Sequence, residues 1–212
     1  MKVVIIGGVA GGASAAARLR RLDENAEIVI FERSGYISYA NCGLPYYVGG
    51  VIEDREDLTL QTPMSFWRRF RIDARIRHEV TEIARAGKFV VVRDLESGNI
   101  FRENYDKLIL SPGANPVVPD LPGKESDKIY TLRTVEDTLR LREAAVRKGA
   151  TSAVVIGGGF IGVETAENLR EIGLDVTLIQ RSEHILPPID ADMAGFLHAH
   201  LRENGVKLLL KT

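Results

Sequence analysis

The chain has 212 residues, 45% hydrophobic and 27% charged, the proportions of a globular protein able to bury one large core or two modest ones. Its 28 basic and 29 acidic residues leave a net charge of -1, which removes the electrostatic reason to expect a nucleic acid or an anionic membrane as partner. A single cysteine, Cys42, excludes an intrachain disulfide framework and fits a reducing cytoplasm, and no apolar stretch is long enough to span a bilayer.

The chain opens on an apolar run, residues 2–6, followed by glycines and an alanine-rich helix to about Leu22. With Lys2 in front, this segment superficially resembles a secretion signal. The Gly7-Gly8 and Gly11-Gly12 interruptions and the Arg18–Arg21 cluster read instead as strand, turn and helix. A strand at Glu27–Phe31 ends in Glu32, and Ser34–Gly50 is a loop leading into a short helix. Thr62 and Pro63 open another helix, a side-chain cap followed by proline at the first helical position. Lys88–Arg93 and Asn99–Glu103 flank Ser97-Gly98-Asn99 as a hairpin, and Tyr105–Leu110 is a strand closing on Ser111-Pro112-Gly113. Residues 115–123 carry three prolines and read as a linker. Thr134 with Asp137 predicts a capping box, opening a helix to about Lys148.

The opening pattern then returns. Ser152–Ile156 is an apolar run before glycines, with a helix to about Ile172 and a strand at Asp175–Ile179. A helix over about 191–204 and a strand at Val206–Leu210 follow. Two strand–helix–strand units whose short apolar runs suit buried parallel strands predict an α/β fold with two Rossmann-like dinucleotide-binding domains built on parallel sheets. The first is expected over residues 1–112, a linker and connecting helix over 113–149, and the second over 150–212. The second is expected to be incomplete, since a full dinucleotide half needs further strands.

The residues of both turns carry chemistry. Gly157, Gly159 and Gly162, with Phe160 and Ile161 between them, form a full G-x-G-x-x-G between strand and helix. The first glycine allows the tight turn, the second lets backbone approach a pyrophosphate, the third lets helix pack on strand, and the helix N-terminus attracts phosphate. The first turn, Gly7, Gly8, Val9, Ala10, Gly11 and Gly12, has Val9 at the middle position. Glu32, twenty residues beyond Gly12 at a strand end, can accept from a ribose hydroxyl and restores that reading. The matching strand end of the second unit holds Gln180 and Arg181 instead of an acid. Glutamine does not repel a 2′-phosphate and arginine can pair with one, so NADH and NADPH both stay open, as does a merely solvated Arg181. Cys42, in Ser38-Tyr39-Ala40-Asn41-Cys42-Gly43-Leu44-Pro45, is expected at a helix start, where a thiolate nucleophile is favoured. The basic run Trp67–Arg71 with Arg75 and Arg77 is read as an amphipathic helix and a strand. His198 and His200, two apart on a helix, make no metal pair, and no metal site is expected.

Residues 2–12, 38–45, 108–113 and 157–162 together resemble the single-cysteine branch of the FAD-dependent pyridine nucleotide–disulfide oxidoreductases. Ser-x-x-Asn-Cys-Gly-Leu-Pro-Tyr is similar to the coenzyme A disulfide reductases and their rhodanese-fused relatives that reduce CoA persulfides and polysulfides. The resemblance implies FAD on Gly7–Gly12, Glu32, Arg33, Val80, Ser111, Pro112 and Gly113, and NAD(P)H on the second turn. It implies a mixed disulfide between Cys42 and CoA, with Ser38 and Asn41 orienting the substrate and Ser14, Arg18 and Arg21 holding CoA phosphates. It also implies a longer homodimeric parent, of which this chain is a fragment lacking the segment that completes the flavin site. Two other readings stay open: an NADH oxidase or peroxidase cycling Cys42 through sulfenic acid, and a nucleotide-binding fragment without catalysis.

Overall fold

The computed structural model describes residues 1–147 and 149–212, which form two compact α/β units. The first comprises residues 1–40 and 59–115, the second residues 41–58 and 116–212, so the Cys42 segment packs within the second.

In the first unit, strands β1 (Lys2–Ile6), β2 (Glu27–Phe31), β3 (Asp73–Arg75) and β7 (Lys107–Leu110) make a parallel sheet in the order β3-β2-β1-β7. Alternation along the strands sends side chains to two faces. Val3, Ile5, Ile28 and Ile30 pack on Ala13 and Ala16 of helix α1 (Ala10–Leu22) and on Phe66 of helix α3 (Pro63–Phe70). Val4, Val29 and Phe31 face the other way, onto Val90 and Val92. Those two belong to a second, antiparallel sheet of β4 (His78–Ala84), β5 (Phe89–Asp94) and β6 (Ile100–Asn104), in the order β4-β5-β6. Ile5 and Ile30 are fully buried, each worth about 1.5–3 kcal/mol relative to exposure. Lys2 Nζ joins β1 to its neighbours, 2.6 Å from Glu27 and 2.7 Å from Glu103, and the hydrogen bond to Glu103 leads the causes that raise its pKa.

In the second unit β8 (Ser152–Ile156), β9 (Asp175–Gln180) and β10 (Lys207–Leu210) form a parallel sheet in the order β10-β9-β8. Helices α2 (Leu44–Gly49), α4 (Val135–Arg142), α5 (Phe160–Glu171) and α6 (Ala191–Glu203) complete it. Its core gathers Val48, Ala166, Leu169, Val176, Leu178 and Ile185. Two expectations need correction. The apolar run of β8 is buried on one face only: Val154 and Ile156 are 62% and 64% exposed, since the described residues cover just the other face. The connecting helix is also not uniform, because α4 ends at Arg142 and a single π-helical stretch, Glu143–Arg147, follows. The change comes where the Arg142 guanidinium donates to the Tyr47 and Ile52 carbonyls and lies 4.3 Å from the Tyr47 ring centroid. The predicted end at Lys148 lies outside the described residues.

Candidate active site

The two glycine turns repeat one another bond for bond. Gly7 and Gly157 each donate to a carbonyl near the end of the neighbouring strand, Phe31 O at 2.8 Å and Ile179 O at 2.9 Å. Gly8 O accepts from Ser38 N at 2.8 Å, and Gly158 O from Leu186 N at 2.7 Å. Gly7 and Gly157 have φ of +96° and +107°, a region closed to most side chains. A Cβ on Gly12 would lie 1.8 Å from Gly7 O, and one on Gly162 1.8 Å from Gly157 O. The third glycine is therefore demanded by the fold.

The middle position differs in kind. Gly159 has φ of −78°, and a Cβ there would meet no atom within 4 Å. Among the described residues nothing requires glycine at that point, so its open space is available to a ligand. In the first turn Val9 occupies the position with φ of −97°, which explains how an imperfect fingerprint keeps the same turn. Neither α1 nor α5 carries a side-chain cap or an acid in its first turn. Helices α3 and α4, by contrast, are closed by reciprocal capping boxes, Thr62 with Ser65 and Thr134 with Asp137. The N–H groups in the first turns of α1 and α5 thus meet no capping side chain, the arrangement that suits phosphate.

Each turn is backed by a buried side chain from the strand end. Glu32 accepts from Gly8 N and from Ser34 N, both at 2.8 Å. Gln180 Oε1 accepts from Gly158 N at 3.1 Å. Glu32 is thus part of the turn as well as a candidate ribose acceptor. Each carboxylate oxygen has a further lone pair for a hydroxyl, and Gln180 keeps its two N–H donors. Gly158 was missed as a site residue from sequence; its correspondence with Gly8 was the available signal.

Around Glu32 lies a cavity of about 260 Å³ lined by Gly7, Glu32, Arg33, Val80, Pro112 and Gly113, six residues singled out in the sequence. Phe31, His78, Ala114 and Asn115 also line it. Asn115 carried no motif, and it accepts from Arg33 across 82 residues of chain. Ser111 lies beside the turn: a Cβ on Gly7 would reach its carbonyl oxygen at 1.9 Å, and one on Gly11 its Oγ at 2.5 Å. These features fit a dinucleotide: an anion-seeking helix end, a hydroxyl acceptor, an arginine and an apolar wall.

Ser14, Arg18 and Arg21 form a separate group on α1. Their spacing of four and three residues puts them on one exposed stripe. Arg20 points elsewhere and is structural, donating to Phe70 O at 2.7 Å and Arg71 O at 3.0 Å. The basic run is largely absorbed: Arg69 and Arg71 lie over Phe70 and Trp67, and Arg75 pairs with Asp73 at 2.6 Å and Glu103 at 3.1 Å. Arg181 is exposed at the end of β9. Ser38 belongs to the first unit, whereas Asn41 and Cys42 belong to the second.

Cys42 is exposed. It sits in a single 3-10 turn, Asn41–Gly43, rather than in the first turn of α2, which begins at Leu44 with Pro45 near its start. Asn41 accepts from Arg133 at 3.2 Å. Behind the turn, α2 packs on α5, where Gly49 lies so close to Asn168 that a Cβ would fall 2.2 Å from Asn168 Oδ1. Among the described residues no cluster of His, Cys, Asp or Glu could hold a metal ion, and no helix is long and apolar enough to cross a membrane. His198 instead accepts from Ile185 N at 3.2 Å, and burial leads the causes that lower its pKa.

The sequence profile of the family described as pyridine nucleotide-disulphide oxidoreductase matches residues 1–212. The chain belongs to that family. It is 43% identical over 192 residues to the coenzyme A disulfide reductase of Staphylococcus haemolyticus, covering 91% of this chain and 43% of that protein. The crystal structure of reduced CoADR-RHD from Bacillus anthracis superposes with a TM-score of 0.96 at 49% identity, covering 99% of this chain and 38% of that one. An NAD-dependent persulfide reductase from A. fulgidus gives 0.95 at 37% identity, covering 100% of this chain and 40% of that one. The chain thus spans about two fifths of the length of these relatives.

Proposed function

We propose that this chain carries the FAD site and the NAD(P)H site of an oxidoreductase that reduces CoA disulfide, or CoA persulfide and polysulfide, through Cys42. The uncapped turn Gly7–Gly12 with Glu32, Arg33, Val80, Ser111, Pro112 and Gly113 would hold FAD, in a domain corresponding to residues 1–112. The turn Gly157–Gly162 with Gln180 and Arg181 would hold NAD(P)H in the domain after residue 150. Bound together, these cofactors supply the two electrons of the reaction. Exposed and alone of its kind in the chain, Cys42 is the observation that carries the reading. With no second cysteine here to form an internal disulfide, its thiolate attacks one sulfur of CoA disulfide. A Cys42–S–S–CoA bond forms as the substrate S–S bond breaks and one CoA thiolate leaves. Two electrons and a proton then return the Cys42 thiolate and release the second CoA thiol. With a persulfide the same attack at the CoA sulfur expels hydrosulfide. Ser14, Arg18 and Arg21 would hold the CoA phosphates, and Ser38 and Asn41 its thiol end.

The names of the relatives support the CoA-linked reading: a coenzyme A disulfide reductase and a persulfide reductase are both similar across nearly the whole chain. The test is Cys42→Ser in the full-length protein. Turnover of CoA disulfide and persulfide is expected to fall to background, while FAD stays bound and NAD(P)H still bleaches it, since serine keeps the volume but cannot form the disulfide. Intact mass before and after dithiothreitol identifies the adduct. A CoA-sized loss supports the proposal, whereas a single oxygen on Cys42 with no CoA would move the function to a sulfenate-based oxidase or peroxidase.

A further inference from the structure

Asn41 and Arg133 lie 92 residues apart in sequence and meet beside the single cysteine, Arg133 Nη1 donating to Asn41 Oδ1 at 3.2 Å. A side-chain amide has an acceptor oxygen at one end and two N–H donors at the other. With a guanidinium on the oxygen, turning the amide over would set donors against donors. Its NH₂ is therefore the end left for another molecule, on the residue next to the thiol.

Arg133 is itself held in place. Its backbone N–H donates to Asp137 Oδ2 at 3.2 Å, and Thr134 N donates to the same oxygen at 3.1 Å. Asp137 N returns a bond to Thr134 Oγ1 at 3.1 Å, so the residue just before α4 is fixed by the capping box of that helix. The arginine reaches the cysteine turn from a rigid mount. Its acceptor is a neutral amide, so this bond leaves its charge uncancelled.

Resting on the reading of Cys42 as the nucleophile, we infer that Arg133 is a positioning residue for the Asn41–Cys42 turn. It fixes the Asn41 amide so that its NH₂ donates to the substrate beside the reacting sulfur. The matching acceptor is an amide carbonyl of the pantetheine arm. Specificity for a CoA disulfide over a small disulfide such as cystine thus depends on Arg133, although Arg133 touches neither the thiol nor the substrate.

The experiment uses the full-length protein with Arg133→Met, Arg133→Lys, Asn41→Ala and the double variant R133M/N41A. Steady-state turnover of CoA disulfide and stopped-flow flavin reduction by NADH and by NADPH are followed in each. Arg133→Met is expected to raise the KM for CoA disulfide about tenfold, the loss of roughly one well-made hydrogen bond. Its kcat should change less, and flavin reduction should not change. Lysine can still donate to Oδ1 and is expected to recover most of the loss. The double variant is expected to be no worse than Asn41→Ala, because the two residues act as one unit. An unchanged KM in Arg133→Met, additive losses in the double variant, or flavin reduction falling in step with turnover would overturn the inference. Should Arg133→Met fail to fold, Arg133→Lys against Asn41→Ala decides: a lysine variant as impaired as Asn41→Ala counts against it. Cys42→Ser separates the two levels. A dead Cys42→Ser with a normal Arg133→Met removes only the role of Arg133, whereas an active Cys42→Ser removes the reading beneath it.

Discussion

The two glycine turns share a backbone and differ in what surrounds them. The first is backed by a carboxylate, Glu32, and pressed by Ser111, whose carbonyl would be 1.9 Å from a Cβ on Gly7. The second is backed by an amide, Gln180, and a Cβ on Gly157 would meet nothing within 4 Å. Their common bonds, from strand end to Gly8 or Gly158, are what a turn needs to exist. The differences lie in charge and in the space left for a ligand. Glycines that look equivalent in a motif therefore stand differently: Gly162 is required by the backbone it touches, whereas Gly159 faces open space.

The largest effect expected from breaking this comparison is at the third glycine. Gly162→Ala, and likewise Gly12→Ala, puts a methyl 1.8 Å from a backbone oxygen that cannot swing away, so a loss of about 3 kcal/mol of stability is expected. Gly159→Ala should leave the unfolding midpoint within about 0.5 kcal/mol of the parent while weakening nucleotide binding. Thermal melts with and without NAD(P)H check both. Equal destabilisation by the two substitutions would erase the distinction between a structural and a ligand-facing glycine.

Exchanging the backing residues comes next. The second unit already shows that a glutamine can accept the glycine N–H, so Glu32→Gln is expected to fold, with about 1 kcal/mol lost where its NH₂ replaces the acceptor of Ser34 N. It should lose FAD affinity about tenfold, since the neutral amide holds a ribose hydroxyl less well. Gln180→Glu is expected to fold too, and to lower kcat/KM for NADPH about tenfold relative to NADH by setting a carboxylate against the 2′-phosphate. Kinetics with both nucleotides in the full-length protein measures this, and an unchanged ratio would mean that Gln180 does not face the ribose.

The smallest effect expected concerns the loop behind the second turn. His198 accepts from Ile185 N, and Leu186 N in turn holds Gly158 O. Burial first, then Arg202 and His184, lower the His198 pKa below its usual 6.5. A histidine depressed on folding contributes stability that is fully present above about pH 6.5 and is lost as pH falls through the folded value, because the unfolded chain then binds more protons. Protection factors at Ile185 and along residues 191–203, hydrogen-exchange rates corrected for their intrinsic pH dependence, should fall as pH drops from about 7.5 to about 5.5. His198→Gln, which keeps an acceptor but does not titrate, should flatten that dependence.

Much of this was legible in the sequence because the signals are local. Apolar runs of five residues gave β1 and β8, and Thr134 with Asp137 gave a capping box formed in both directions. Gly7 and Gly157 gave turns at positive φ, and the spacing to Glu32 and Gln180 gave the side chains that close them. Periodicity, caps and left-handed turns act within a few residues, so the amino-acid order determines them by itself, together with the two α/β units and the family. What only the tertiary structure decided depends on groups far apart in the chain. The π-helical stretch after Arg142 forms where that guanidinium meets Tyr47 and Ile52, ninety or more residues away. Asn115 reaches Arg33, and Arg133 reaches Asn41, by side chains that no spacing rule links. The distinction between Gly159 and Gly162 is of the same kind, since it is set by which atoms lie within a few ångströms of a missing methyl group. Local sequence dictates which bonds a segment can make, but the folded chain alone decides which distant group is there to make them.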